Sequence, residues 1–226
     1  LEYEFKTDHS DTEVIINGYQ EWGENIVNKI FGDFAFGIWD QEKETMFLAR
    51  DRIGVKPLYF HSSEKNFIFA SEIKAILNDT EVERDIDQKA MYHYLTFLAT
   101  PAPFTMFKNI FKLPAGHAMK VDKDGEIKSW QYWDAIGDNE NIADEIKNLS
   151  SEATEVFFID EIRKKLRKSI ERRMMSDVQM GVFLSGGIDS STNVALMNEL
   201  SKSPINTFTV GFKDNPELNE LNYANK

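Results

Sequence analysis

Cysteine is absent from the 226 residues, and its absence excludes three kinds of chemistry. This stretch of chain can build no disulfide framework, no thiolate zinc site and no cysteine nucleophile. The same absence favours a cytoplasmic location, because a secreted protein of this size often carries disulfides.

The sequence also lacks long apolar runs and has few basic residues. No run of about 18 apolar residues occurs and no signal peptide is visible, so we expect no membrane partner. Lys and Arg number 26 against 38 Asp and Glu, which gives a formal net charge of −12. Because phosphate backbones demand basic patches, this balance argues against nucleic acid as the main partner. The net charge does not argue against a nucleotide such as ATP, which needs only a local binding site.

Alternating apolar residues in the first half predict strands joined by polar turns. The predicted strands cover residues 34–39, 45–49, 57–60 and 66–70, and a hairpin covers 120–127 with Asp124 and Gly125 at its turn. Helices are predicted over 11–19, 73–77 and 87–98.

The second half changes in composition. Residues 138–155 are acidic and polar and predict a linker. A helix follows, with Ile159, Ile162, Leu166 and Ile170 on one face. A strand over 180–184, a helix over 190–200 and a strand over 207–212 then predict a βαβ unit with parallel strands.

The loop inside this βαβ unit reads GVFLSGGIDSS from Gly181 to Ser191. Gly186 and Gly187 have no Cβ, so their backbone N–H groups can approach a phosphate closely. Ser185 and Ser190 add hydroxyl groups, and the following helix N-terminus favours negative charge. The pattern therefore predicts a phosphate site.

Asp189 adds a metal ion to this prediction. A carboxylate would repel a phosphate beside it, so its presence is explained if a Mg²⁺ ion lies between them. The loop lacks the lysine of a Walker motif, so it suits a departing pyrophosphate better than γ-phosphoryl transfer. The structural alternative is a plain turn in which Asp189 caps the helix. The complete Ser-Gly-Gly-x-Asp-Ser string favours the phosphate interpretation.

SGGIDSS resembles the pyrophosphate loop of the N-type ATP pyrophosphatases, a group that includes GMP, NAD and argininosuccinate synthetases and tRNA-thiolating enzymes. Upstream stretches narrow the choice, since they resemble the glutaminase domain of the glutamine-hydrolysing asparagine synthetases. They are residues 7–14 (TDHSDTEV), 32–40 (GDFAFGIWD), 50–59 (RDRIGVKPLY), 70–75 (ASEIKA) and 113–116 (LPAG), with 175–178 (MSDV) leading into the loop. Gln179 departs from the family, which has proline there.

The resemblance implies two domains. Residues 1–137 would form an α+β N-terminal-nucleophile hydrolase domain of four layers (αββα), truncated at its N-terminus. After the acidic linker, residues 156–226 would begin an α/β parallel-sheet ATP pyrophosphatase domain (adenine nucleotide α-hydrolase-like), truncated at its C-terminus.

The implied activity is that of an amidotransferase-ligase. Glutamine is hydrolysed, and its ammonia converts aspartate to asparagine through β-aspartyl-AMP, with release of AMP and pyrophosphate. ATP and Mg²⁺ would be required, and a homodimer is one expected assembly. The family's nucleophilic cysteine would lie upstream of Leu1, so we expect no catalytic residue within the chain and no glutaminase activity from these residues alone.

The resemblance also implies roles for individual residues. Asp11 matches the carboxylate that holds the α-ammonium of glutamine, although a helix cap is its structural alternative. Arg50 and Asp51 are expected to brace a turn as an ion pair. The ATP site would comprise Leu184 and Val210 at the adenine and Ser185, Gly186, Gly187, Asp189 and Ser190 at the pyrophosphate, with Asp189 reaching Mg²⁺ through the pyrophosphate.

Two alternatives stay open at this stage. One is a related enzyme, such as a β-lactam synthetase or a sugar amidotransferase. The other is a binding domain that kept the fold without catalysis.

Overall fold

The computed structural model describes residues 5–8, 10–136, 145–176, 178–212 and 219–224. The chain divides into two compact units, Leu1–Gly137 and Asp138–Lys226. The predicted linker positions 138–144 lie outside the described residues.

Within the described residues, the first unit contains three helices, a 3₁₀ helix and seven strands. In chain order they are α1 (Asp11–Trp22), the 3₁₀ helix (Gly23–Asn28), β1 (Ala35–Asp40), β2 (Thr45–Arg50), β3 (Tyr59–Ser62), β4 (Phe67–Ala70), α2 (Ile73–Ile76), α3 (Gln88–Phe97), β5 (Ile110–Lys112), β6 (His117–Val121) and β7 (Ile127–Gln131).

These strands form two antiparallel sheets, ordered β1-β2-β6-β7 and β4-β3-β5. Strand β2 lies inside the larger sheet, and its alternate side chains are buried on opposite faces. Phe47 packs towards α1 and the 3₁₀ helix, in a cluster with Ile26 and Val27. Leu48 packs on the other face in a cluster with Met119 and Phe60, so it joins the two sheets.

A third cluster covers the outer face of the smaller sheet, where Ile76 of α2 packs with Val82 and Ile110. The order of layers is therefore helix, sheet, sheet, helix. This order agrees with the four-layer arrangement that the family resemblance implies.

Strand β3 begins later than predicted, at Tyr59 rather than Pro57. Proline cannot donate a ladder hydrogen bond. In addition, the carbonyl groups of Gly54 and Lys56 are held by the Arg50 side chain, which keeps the chain before Pro57 in a turn.

The second unit contains α4 (Ser151–Arg173), β8 (Gly181–Phe183), α5 (Ile188–Leu200), β9 (Asn206–Phe208) and α6 (Leu221–Ala224). Ser150 caps α4, and its hydroxyl accepts from the N–H of Ala153 at 3.2 Å. The predicted linker was therefore wrong for residues 151–155, which form the first turn of α4.

Strands β8 and β9 pair in parallel, with Val182 opposite Thr207, and α5 connects them as the βαβ pattern predicts. Strand β9 ends at Phe208, earlier than the predicted residue 212. The 23-residue α4 is the longest described helix, and neither it nor any other described helix combines the length and apolar content of a membrane span.

Candidate functional sites

The loop from Leu184 to Gly187 leaves the carboxyl end of β8 and enters α5. Gly186 has φ 81°, in the left-handed region that favours glycine. Gly187 has extended geometry (φ −74°, ψ 162°) and is the N-cap of α5 without any side-chain capping bond. Asp189 is therefore not the helix cap, and the structural alternative for that residue is wrong.

Two serine hydroxyls brace the loop from inside. The Oγ atoms of Ser185 and Ser190 lie 3.0 Å apart. The Ser190 hydroxyl also donates to the carbonyl of Gly187 at 3.2 Å and accepts from the N–H of Ser185 at 3.3 Å. These contacts tie the loop at Ser185 and Gly187 to Ser190 in the first turn of α5.

Several backbone donors at this point stay open. Within the described residues, no hydrogen bond engages the N–H groups of Gly186, Ile188 or Asp189. Such N–H groups at the start of a helix, together with the helix dipole, form an anion site. The N–H of Gly187 has only a long contact of 3.4 Å with the hydroxyl of Ser185, which an anion could replace.

The Asp189 side chain is exposed in the first turn of α5 and takes part in no ion pair among the described residues. Nowhere in the described part of the chain do three His, Asp or Glu side chains cluster closely enough to hold a metal by themselves. This arrangement fits Mg²⁺, which usually keeps several waters and binds one or two carboxylates together with substrate phosphates.

Leu184 and Val210 lie at the carboxyl ends of the two paired strands. The N–H of Leu184 donates to Phe208 O at 2.8 Å, and the Thr209 hydroxyl donates to Leu184 O at 2.7 Å. Val210 is 57% exposed and follows directly after Thr209. The two residues expected at the adenine are therefore brought to the same end of the strand pair as the phosphate loop.

Asp11 is the first residue of α1 in the first unit, and Ser10 is the N-cap. The Ser10 hydroxyl accepts from the N–H of Glu13 at 3.4 Å. The Asp11 carboxylate is exposed, and no hydrogen bond or ion pair occupies it within the described residues. The cap is thus supplied by Ser10, and the Asp11 carboxylate is open to a ligand.

Glu13 has a local role that our sequence reasoning did not assign. Its carboxylate accepts from the N–H of Lys6 at 2.6 Å, the N–H of Thr7 at 2.9 Å and the Thr7 hydroxyl at 2.6 Å. These bonds, that of the Thr7 hydroxyl first, lower the pKa of Glu13. The Ser-x-x-Glu spacing of a capping box was the available signal.

The Arg50 and Asp51 pair braces the turn before β3, but not as an ion pair with each other. Arg50 donates to the carbonyl groups of Gly54, Lys56 and Leu113, each at 2.7 Å. Asp51 is fully buried and accepts from the N–H groups of Val55 and Lys56 at 2.9 Å. Both charges are satisfied by backbone groups, so the expected ion pair was wrong while the bracing role stands.

Comparison with known families matches both units. The family model of the glutamine amidotransferase domain matches residues 1–133, and that of asparagine synthase matches residues 161–226.

Curated relatives agree with these models. A Methanocaldococcus jannaschii protein, provisionally named glutamine-hydrolysing asparagine synthetase 2, is 38% identical over 208 residues, which are 90% of this chain and 38% of that protein. The glutamine-hydrolysing asparagine synthetase 3 of Bacillus subtilis is 33% identical over 211 residues, which are 91% of this chain and 32% of that protein. The chain thus spans well under half the length of either relative.

Among solved structures, the glutamine phosphoribosylpyrophosphate amidotransferase of B. subtilis, complexed with ADP and GMP, matches 94% of this chain and 42% of that chain. Its identity to this chain is 18% and the TM-score is 0.39. The family models and the curated relatives confirm the resemblance to the glutamine-hydrolysing asparagine synthetases, and the chain belongs to the glutamine amidotransferase domain family.

Proposed function

We propose that the chain is part of a glutamine-dependent asparagine synthetase. The observation that carries this proposal is the loop at Ser185–Ser190, with open backbone N–H groups at the end of a parallel strand pair, in the same chain as a glutamine amidotransferase domain. The first activity would supply ammonia, and the second would activate the acid that receives it.

In the second unit, ATP would bind with its adenine near Leu184 and Val210 and its β- and γ-phosphates at the loop. An oxygen of the aspartate β-carboxylate attacks the α-phosphorus, and the bond from that phosphorus to the pyrophosphate oxygen breaks. The loop N–H groups and the dipole of α5 stabilise the negative charge of the departing pyrophosphate. A Mg²⁺ ion held by Asp189 and the phosphate oxygens would neutralise part of the same charge.

The second step consumes the ammonia. Its nitrogen attacks the activated β-carbonyl carbon of β-aspartyl-AMP, and the bond from that carbon to the bridging oxygen breaks. AMP leaves with that oxygen, which came from the aspartate carboxylate, and a proton is released. In the first unit, the exposed carboxylate of Asp11 would hold the α-ammonium of glutamine, since an acceptor-only group suits a cationic donor.

The test uses the protein at its full encoded length, with aspartate labelled with ¹⁸O in the β-carboxylate, ATP and Mg²⁺. We expect asparagine, pyrophosphate and AMP that carries one ¹⁸O atom, with either glutamine or ammonium as the nitrogen source. Formation of ADP and phosphate would overturn adenylation. Reaction with ammonium but not with glutamine would overturn the glutamine-dependent part.

A further inference from the structure

A short segment of the second unit, residues 219–224, contacts both ends of the proposed nucleotide site. This segment includes α6, and the N–H groups of Tyr223 and Ala224 both donate to Glu220 O at 3.0 Å. It meets Gly186, which lies in the phosphate loop, and Gly211, which directly follows Val210 at the adenine end.

At Gly186 the contact is made by backbone. A Cβ atom added at this residue would lie 2.5 Å from the carbonyl carbon of Tyr223, 2.6 Å from its Cβ and 2.8 Å from the backbone nitrogen of Ala224. Any side chain at position 186 would force the loop and the helix apart, so glycine is required by α6 as well as by its own φ.

At Gly211 the contact is made by side chains. A Cβ atom added there would lie 2.8 Å from Leu221 Cδ1 and 3.2 Å from Asn219 Oδ1. The start of the segment therefore packs closely beside Val210, while Tyr223 and Ala224 of the same segment pack on the phosphate loop.

We propose that residues 219–224 form a third wall of the nucleotide site, in which Leu221 and Tyr223 are positioning residues that fix the distance between its adenine end and its phosphate end. This inference rests on the proposed function. A fixed spacing matters because a nucleotide must engage both ends at once, and a site that already has the right spacing pays less to order itself on binding.

Leu221→Ala tests the wall, and Leu149→Ala is the matched control, because the two leucines are similarly exposed (39% and 41%). In titration calorimetry of the full-length protein, we expect Leu221→Ala to weaken ATP binding by about two- to thirtyfold relative to the control. Inorganic pyrophosphate and adenosine each use one end only, so their affinities should change by much less. Equal weakening of all three ligands, or ATP binding equal to that of the control, would overturn the inference.

Hydrogen exchange of the unsubstituted protein gives a second test that does not depend on a variant folding. We expect ATP to slow exchange of the Tyr223 and Ala224 amides. If ATP binds and exchange there is unchanged, the third wall is wrong and the proposed function stands. If the unsubstituted protein binds no ATP at millimolar concentration with Mg²⁺, the proposed function itself fails.

Discussion

Nearly all the buried apolar side chains of the described residues belong to the first unit, and Leu196 is the exception in the second. In the first unit, three clusters fill the spaces within and around two sheets. In the second, Phe183 on β8 is 75% exposed and Ile188 at the start of α5 is 83% exposed. The two candidate sites therefore depend on different forces.

The difference shows which interactions specify each site. In the phosphate loop, the turn at Gly186 depends on a left-handed backbone and on hydrogen bonds between residues at most five positions apart. Among the described residues of the loop, only Leu184, where the loop begins, is bonded to distant residues, Phe208 and Thr209. The first unit depends more widely on contacts between residues far apart in sequence, such as the hydrogen bond from Arg50 to the carbonyl of Leu113. Substitutions of buried leucines should therefore destabilise the two units to different extents.

Leu48→Ala should cause the largest loss of stability. Leu48 is 1% exposed between two sheets, so its truncation removes apolar burial and leaves a cavity that costs about 3 kcal/mol or more. Leu196→Ala should lose less stability, about 2 kcal/mol or less, because neighbours of Leu196 such as Ile159 and Ile162 are exposed to water. Tryptophan fluorescence during urea unfolding reports the first unit, which contains all four tryptophans, and hydrogen exchange of α5 reports the second.

Asp51→Ala should cost about 3 kcal/mol, because two backbone N–H groups lose a charged partner whose side chain is fully buried. Asp122→Ala is the control, since Asp122 also accepts from two N–H groups, those of Asp124 and Glu126, but in an exposed turn. There water replaces the carboxylate, and we expect about 1 kcal/mol or less. Equal losses in urea unfolding would contradict the buried role of Asp51.

Gly186→Ala should lower the affinity for ATP by about tenfold or more, because it disturbs the open N–H groups that would hold pyrophosphate. Gly125→Ala matches its backbone, since both glycines have φ 81°, but Gly125 has nothing within 4 Å of an added Cβ. Both variants should lose about 1–2 kcal/mol of stability, because alanine is strained in the left-handed conformation. Calorimetric titration should therefore find wild-type ATP affinity in Gly125→Ala, and a matching loss there would refute our account of the loop.

Tyr132→Phe should have the smallest effect at neutral pH, about 1 kcal/mol, from the lost bond between the hydroxyl and Arg50 O at 2.7 Å. Burial raises the pKa of Tyr132 from 10.0 to about 12. The neutral hydroxyl thus stabilises the fold fully below pH 10, and this contribution is lost as the pH rises through about 12.

As the pH rises from about 9 to about 12, the urea midpoint of unfolding should fall more steeply for wild type than for Tyr132→Phe. Tyr92→Phe is the control, because Tyr92 is 74% exposed. A control that flattens the alkaline loss equally would rule out Tyr132 as its source.

Local patterns predicted the local features well. Alternation of apolar residues identified the hairpin of β1 and β2, in which Ile38 lies opposite Phe47. The Ser-Gly-Gly string identified a loop in which the N–H of Gly186 is open within the described residues. Features that depend on partners far along the chain had no such pattern. The ion pair expected of Arg50 and Asp51 was replaced by backbone contacts that include Leu113, and the close approach of Tyr223 to Gly186 has no local signal in the sequence.

The bonds of Glu13 to Lys6 and Thr7 limit which substitutions the entry to α1 can accept. Since the segment before α1 is fastened by a side chain from the first turn of that helix, the path of the chain into α1 is set by contacts among residues 6, 7, 10 and 13. Loss of the single carboxylate at position 13 would release Lys6 and Thr7, which are both exposed, from the start of the helix.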